Sequence, residues 1–371
     1  MPIKTWIFAV VPKRDQLSAR RPLHFARKLW PASKHAALTT LFCTALAALG
    51  LMATPLDGSA SMPFMRPPGK MVDIGGRSLR IVCAGPKDAA GPTVLFESGA
   101  FGFSGDWAYS QRDLTAQGVR SCAYDRAGMG LSDPSPEPRD GINAARDLEK
   151  LLIAAHVPAP YIVVGHSMAG ARVHLFANRN PDKVAGLVLV DSTTPDAMSD
   201  PQVAKYVADF AKETHMAAMT AQFGILKLLA GTKLGDKVGL PPEQDMEKRY
   251  QFASASYNRT AYEEVKYWPL AAQQAARTGP LNTDLPVAVV SAGVFDTGEG
   301  HQMQALQPPP ARASRDGYVE VVAGATHNGL LGARYHTAIV RGIDFVLNSV
   351  RRAPPQVIAR AHAGPMQLAS R

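Results

Sequence analysis

The stretch that most constrains this chain is Tyr161-Ile162-Val163-Val164-Gly165-His166-Ser167-Met168-Ala169-Gly170. Its apolar start reads as a buried parallel strand, Gly165 opens a tight turn, and Ala171 to Asn178 reads as the first turns of a helix. Strand, Gly-x-Ser and helix together form a nucleophile elbow, whose strained turn pushes the serine Oγ out at the carboxyl edge of a sheet. Small residues at Gly165, Ala169 and Gly170 let the strand and helix backbones approach closely around Ser167. The usual pattern has Gly where this chain has Ala169, which still fits such a contact.

Around that elbow, strands and helices alternate. Met71 to Ile74 and Arg77 to Cys83 flank Gly75-Gly76 as a β-hairpin. Thr93 to Phe96 and Val119 to Tyr124 read as strands, with a helix capped by Asp106 between them. Ile142, Ala145, Leu148, Leu152 and Ala155 recur at helical spacing. After the elbow comes the strand Ala185 to Val190, and the rhythm resumes at Leu285 to Ser291 and Tyr318 to Val322. A last amphipathic helix carries Ile339, Ile343, Val346 and Val350. Alternation of this kind predicts an α/β fold with a mostly parallel sheet covered by helices on both faces.

Between Ser192 and Asp284 the strand pattern stops, and the stretch reads as helices inserted over the catalytic edge as a cap. Its Met216, Met219, Phe223, Ile225, Leu226, Leu228 and Leu229 are expected mainly to pack the cap's own core. The expected organisation is an α/β core over 71–191 and 285–350, with the cap over 192–284. Asn258-Arg259-Thr260 matches a glycosylation triplet by chance.

The net charge of +9 suggests nucleic acid until it is located. Residues 1–35 hold eight Lys/Arg against Asp15, and the tail 351–371 holds four Arg and no acid, so the body between is slightly acidic. No basic patch with interleaved aromatics occurs in that body, so nucleic acid is not the expected partner. Residues 36–54 include the uncharged run Ala36 to Ala53, about the minimum that spans a bilayer as a helix. The basic segment before it would stay in the cytoplasm, leaving everything past the Pro-rich linker 55–70 extracytoplasmic. A membrane-anchored, periplasmic catalytic domain is therefore expected, with secretion after signal cleavage near Gly58-Ser59-Ala60 as the alternative.

Serine acyl transfer needs a base, an acid that orients it, and donors for the oxyanion. Val287 to Ser291 is a strand running into Gly293-Val294-Phe295-Asp296, which sets Asp296 at the sheet's carboxyl edge. Tyr318 to Val322 runs into Gly324-Ala325-Thr326-His327, which sets His327 there too. The expected triad is Ser167, Asp296 and His327. Asp191, also just past a strand, is the rival acid, although it could equally cap the first cap helix. His166 has a supporting place, with its ring expected to turn away from Ser167. The backbone N–H of Met168 and that of Ala100 are the expected oxyanion donors, Gly99 and Gly102 giving the second loop its freedom. No His/Cys/Asp/Glu cluster has metal-ligand spacing and no Gly-rich nucleotide loop occurs, so neither a metal nor a cofactor is expected.

Glu97-Ser98-Gly99, Tyr124-Asp125-Arg126-Ala127-Gly128-x-Gly130-x-Ser132-Asp133, Gly165-His166-Ser167-Met168, Gly293-x-x-Asp296 and Gly324-Ala325-Thr326-His327 together resemble the α/β-hydrolase fold superfamily over about residues 71–350. The likeness is to exported or membrane-anchored bacterial members whose loop reads Glu-Ser-Gly rather than His-Gly. The resemblance implies an eight-stranded sheet, with the cap after strand 6 and an N-terminal hydrophobic helix before it. A serine nucleophile separates the chain from the dehalogenase and epoxide-hydrolase members, which place Asp there. The strand order this superfamily implies makes the strands of Cys83 and Cys122 neighbours, so a disulfide between them is feasible after export. The expectation is a serine hydrolase acting on a lipophilic carboxylic ester as its small-molecule substrate. Peptidase, lactonase or C–C hydrolase chemistry, and a non-catalytic ligand-binding role on the same fold, are the alternatives.

Overall fold

The computed structural model describes residues 67–230, 238–294 and 303–352. The expected N-terminal helix, linker and basic tail lie outside these residues. Among the described residues no helix is long and apolar enough to cross a membrane.

One eight-stranded sheet organises the chain, in the order β1-β2-β4-β3-β5-β6-β7-β8. The edge hairpin pairs β1 (Lys70–Asp73) with β2 (Ser78–Ala84) in antiparallel register. Its turn uses Gly75 and Gly76 at φ +104° and +87°, a region closed to most side chains, while Asp73 Oδ1 accepts from both glycine N–H groups. Beyond β2 the strands β3 (Thr93–Glu97), β4 (Ser121–Tyr124), β5 (Tyr161–His166), β6 (Val184–Val190), β7 (Val287–Ala292) and β8 (Gly317–Val322) are all parallel. Strands β3, β4, β5 and β7 are buried along their whole length, as near-continuous apolar runs in a doubly covered sheet must be.

Two apolar layers cover the faces. On one side α2 (Gly141–Ala154) and α3 (Ala169–Arg179) pack through Leu148, Leu151, Leu152, Val173, Leu175 and Phe176. On the other, α1 (Ala108–Ala116) and α9 (His336–Arg352) pack through Leu114, Ile339, Ile343, Val346 and Val350. Each fully buried aliphatic side chain in these layers contributes about 1.5–3 kcal/mol relative to exposure. Cys83 and Cys122 stand directly opposite on β2 and β4 and are joined by a disulfide, the bond the resemblance made feasible.

Between β6 and β7 the chain leaves the sheet for five helices: α4 (Pro201–Gln222), α5 (Ile225–Ala230), α6 (Pro242–Ala253), α7 (Ala255–Lys266) and α8 (Trp268–Ala276). Asp200 caps α4 by accepting from Gln202 and Val203 N–H, with Pro201 in the first turn. The core of this insert differs from expectation. Met216, Met219, Phe223, Ile225 and Leu228 are exposed, whereas Val203, Val207, Val265 and Trp268 are buried around Met168 of the elbow. The insert thus places part of its buried apolar surface against the elbow. Asn258 is fully buried and donates to the Phe252 and Ser254 carbonyls, which closes the glycosylation triplet to modification.

Candidate active site

Ser167 sits at φ +60° between β5 and α3, a conformation a non-glycine residue adopts only under constraint. The constraint is visible. Its N–H donates to Val190 O (3.1 Å), and its carbonyl accepts from Gly170 N–H and Thr193 N–H (3.2 Å each). A Cβ on Gly170 would lie 2.2 Å from Thr193 O, and one on Gly165 2.9 Å from Val173, so both glycines are required for the turn.

His327 follows β8 and meets the elbow through His166. The two imidazoles stack at 4.5 Å, and His166 Nε2 donates to the His327 carbonyl at 3.3 Å, which sets the His166 tautomer. Burial, with His327 beside it, pushes His166 down to about 3, so its ring is neutral at ordinary pH. The neutral His166 ring thus packs directly on that of His327.

The carboxylate on His327 is that of Asp191. Its Oδ2 accepts from His327 Nδ1 at 2.6 Å, while Oδ1 accepts from Ala292 N–H (3.1 Å) and Gln307 Nε2 (3.0 Å). Burial alone would push Asp191 up; the His327 ring and the Gln307 and Ala292 donors outweigh it and hold the carboxyl below its usual value. The expected acid, Asp296, lies outside the described residues. The physical reason for Asp191 is its place. It leaves the end of β6 at φ +43° with its N–H on Val290 O, so its side chain turns along the carboxyl edge toward His327 instead of capping α4, a role Asp200 fills.

The loop after β3 carries Ala100, and Gly99 lies against Ser167. A Cβ on Gly99 would lie 2.8 Å from Ser167 Cβ and 3.1 Å from His166 Nδ1. Met168 starts α3 with φ −61°, its side chain buried, and its N–H belongs to the unpaired first turn of that helix.

The alpha/beta hydrolase fold family model matches residues 92–277, half of the chain. The chain belongs to the α/β-hydrolase fold family. Similar curated proteins include the "Probable transporter efuK" of Hormonema carpetanum, 36% identical over 129 residues, which are 33% of this chain and 18% of that one. Another is the "Uncharacterized protein YqjL" of Bacillus subtilis, 35% identical over 114 residues, 30% of this chain and 44% of that one. The chain spans less than half the length of these relatives. Among solved structures, an evolved variant of potato epoxide hydrolase superposes with a TM-score of 0.59 at 18% identity, covering 76% of this chain and 99% of that one. A "putative lipase" of Acinetobacter baumannii superposes at 0.54 with 16% identity, covering 84% and 97%. At such identities these likenesses speak for the fold.

In this α/β-hydrolase the Glu-Ser-Gly loop is wired to its surroundings by buried charge. Glu97 Oε1 accepts from Arg172 Nε (2.8 Å) and Arg126 Nη1 (3.3 Å), and its other oxygen accepts from Tyr124 OH. Ser98 O accepts from Arg126 Nη1 (2.7 Å) and Arg172 Nη2 (2.8 Å), and Gly99 O from Arg126 Nη2 (2.9 Å). Arg126 completes its fork on Glu264 of α7, with both contacts at 2.7 Å. Phe101, at φ +54°, offers its carbonyl to Lys248 Nζ (2.9 Å) and Tyr257 OH (2.7 Å) from α6 and α7. Of these partners the motifs named Glu97, Ser98, Gly99, Tyr124 and Arg126. Glu264, Lys248 and Gln307 meet the site across more than a hundred residues of sequence and carry no local signal. Among the described residues no group of three or more His, Cys, Asp or Glu could hold a metal ion.

Proposed function

We propose that this protein is a serine hydrolase that cleaves a lipophilic carboxylic ester through an acyl-enzyme on Ser167. One observation carries the reading: Ser167 is held at φ +60° on an elbow whose neighbour stacks on His327, and His327 is bonded through Nδ1 to a buried carboxylate. With Nδ1 committed to Asp191, the Nε2 of His327 is the nitrogen left to accept the Ser167 proton. The deprotonated Oγ attacks the ester carbonyl, and the tetrahedral oxyanion is received by the Met168 and Ala100 N–H groups. His327 then passes its proton to the leaving alkoxide, and water deacylates the serine by the reverse proton route. Asp191 in the acid role replaces Asp296 of the sequence reading. The lipophilic substrate is supported by the apolar cluster of Met168, Val203, Val207, Val265 and Trp268 that packs beside Ala100.

The setting we infer is extracytoplasmic, with the chain tethered to a membrane through residues 36–54. The uncharged run behind a basic segment supports it, as do the Cys83–Cys122 disulfide and the exposed Met216, Met219, Phe223, Ile225 and Leu228 of the insert.

The test is labelling of the full chain with a fluorophosphonate probe beside a Ser167→Ala control, followed by a panel of esters of increasing acyl length. Labelling of the wild type alone, with rates rising toward longer acyl chains, is the expected result. Folded wild-type protein that takes no label would overturn the catalytic reading in favour of a ligand-binding role.

A further inference from the structure

The buried ion pair between Arg126 and Glu264 has geometry that reaches the reacting atoms. The Ala100 N–H and the Gly99 carbonyl belong to one peptide unit. A trans peptide is planar and its N–H and C=O point in opposite directions, so whatever fixes the Gly99 oxygen also fixes the direction of the Ala100 N–H. Two donors fix that oxygen: Arg126 Nη2 at 2.9 Å and Gly102 N–H at 3.1 Å. The preceding peptide is pinned in the same way, Ser98 O accepting from Arg126 Nη1 and Arg172 Nη2. Arg126 is in turn oriented by Glu264 of α7, which takes Nε and Nη2 at 2.7 Å each. Both side chains are about 2% exposed, so water competes for neither end of the chain of contacts.

We propose that Arg126 and Glu264 are positioning residues that set the oxyanion donor. In this arrangement helix α7 of the insert, through Glu264, holds the Arg126 fork so that the Gly99–Ala100 peptide presents its N–H beside Ser167. The inference rests on the reading of Ala100 N–H as an oxyanion donor. It makes the insert part of the catalytic apparatus as well as a roof: with α7 unseated, Arg126 loses its orienting carboxylate and the peptide is free to turn. Arg126 also polarises the unit, since a cation on the carbonyl oxygen strengthens the opposite N–H as a donor. A guanidinium suits the task because a single planar fork reaches two successive carbonyls and a carboxylate, which a lysine ammonium cannot do.

The experiment compares full-length wild type with Arg126→Gln, Arg126→Lys and Glu264→Gln, each checked for folding by circular dichroism and thermal melting. Kinetics on a p-nitrophenyl ester are read together with the affinity of a boronic-acid inhibitor, which forms a tetrahedral adduct on the serine. Removing one oxyanion donor costs about 10²–10³ in turnover. Arg126→Gln is expected to approach that loss in kcat with KM changed by less than about threefold, and Glu264→Gln to lose about tenfold. Boronate affinity should fall in parallel, and Arg126→Lys should fail to rescue. The acid limb of the pH–rate profile should stay in place, because His327 and Asp191 are untouched. Folded Arg126→Gln with kcat within twofold of wild type overturns the proposal, as does a loss confined to KM. Where Arg126→Gln does not fold, Glu264→Gln, which is isosteric, carries the same test. Fluorophosphonate labelling of the wild type in the same series separates failure of this inference from failure of the serine-hydrolase reading itself.

Discussion

Three non-glycine residues with positive φ border this site: Phe101 at +54°, Ser167 at +60° and Asp191 at +43°. Each lies just past a strand end on the carboxyl edge, and each is fixed by bonds from outside its own element. Strain of order 1–3 kcal/mol per residue persists only where the surroundings over-determine it. At Asp191 the determinants are the Val290 carbonyl on its N–H and the Ala292 and Gln307 donors on Oδ1, which leave Oδ2 for His327. An amide at this position offers Nδ2–H as well as an oxygen, and it selects the wrong imidazole tautomer or orientation. Asp191→Asn should therefore lower kcat by about 10³–10⁴ with the fold retained. Asp296→Asn should leave kcat within a few-fold of wild type. Steady-state kinetics on both variants check the assignment, and the reverse ranking would return the acid role to Asp296.

At the scale of elements, β2 and β4 carry a second testable bond. Cys83 and Cys122 are paired residues of neighbouring antiparallel strands, and their disulfide closes a loop of 39 residues. Loop-closure entropy puts its stabilisation at about 4 kcal/mol, most of it through restriction of the unfolded chain. Thiol titration of denatured, unreduced protein should find Cys43 alone, and a Cys83→Ala/Cys122→Ala double variant should melt several degrees lower. Three reactive thiols would remove the disulfide and weaken the case for export. The same strands show what local sequence can and cannot reveal. The apolar run of β5 followed by Gly-x-Ser announced that strand and Ser167, because a buried strand must be apolar and a sharp turn must be small. The mixed run Tyr318 to Val322 before Gly-x-x-His announced β8, an edge strand with Val319 and Val321 exposed. The choice of acid was not legible, since Asp191 and Asp296 both stand past strand ends, and only the fold decides which carboxylate faces Nδ1. The exposed stripe of Met216, Met219 and Phe223 misled for a related reason: helical periodicity shows that a face is apolar without showing whether anything covers it.

Across the whole molecule, the insert is fastened to the core by two buried ionic clusters with opposite charge balance. Around the Glu-Ser-Gly loop, Glu97, Glu264 and Asp147 meet Arg126, Arg172, Arg139 and Arg77, so cations are in excess. Burial alone would raise Glu264, but Arg126 and its neighbours pull it down to about 2. Its stabilising contribution is present above the ordinary carboxyl range and is lost only as pH falls through that value. Under α6, among the described residues, Asp125, Asp106 and Glu247 meet Arg80 and Lys248, so carboxylates are in excess. Burial, against the pull of Arg80, raises Glu247 to about 7, and burial raises Asp106 as well. A folded-state value above the ordinary 4.5 means that the native protein binds more protons than the unfolded chain between those two pH values. That contribution to stability is complete at low pH and is lost as pH rises toward 7. His166 works in the opposite direction, since its value of about 3 lets it add stability as pH rises toward 6.5. The raw pH–stability curve therefore blends the two effects, and a comparison with Glu247→Gln separates them. The amide stays neutral at every pH, so the variant should melt close to wild type at pH 5 and a few degrees above it at pH 8. A melting difference that is flat between those pH values would mean that Glu247 is ionised at both, and the insert would then be seated by a fully charged cluster under α6 as well as by Glu264.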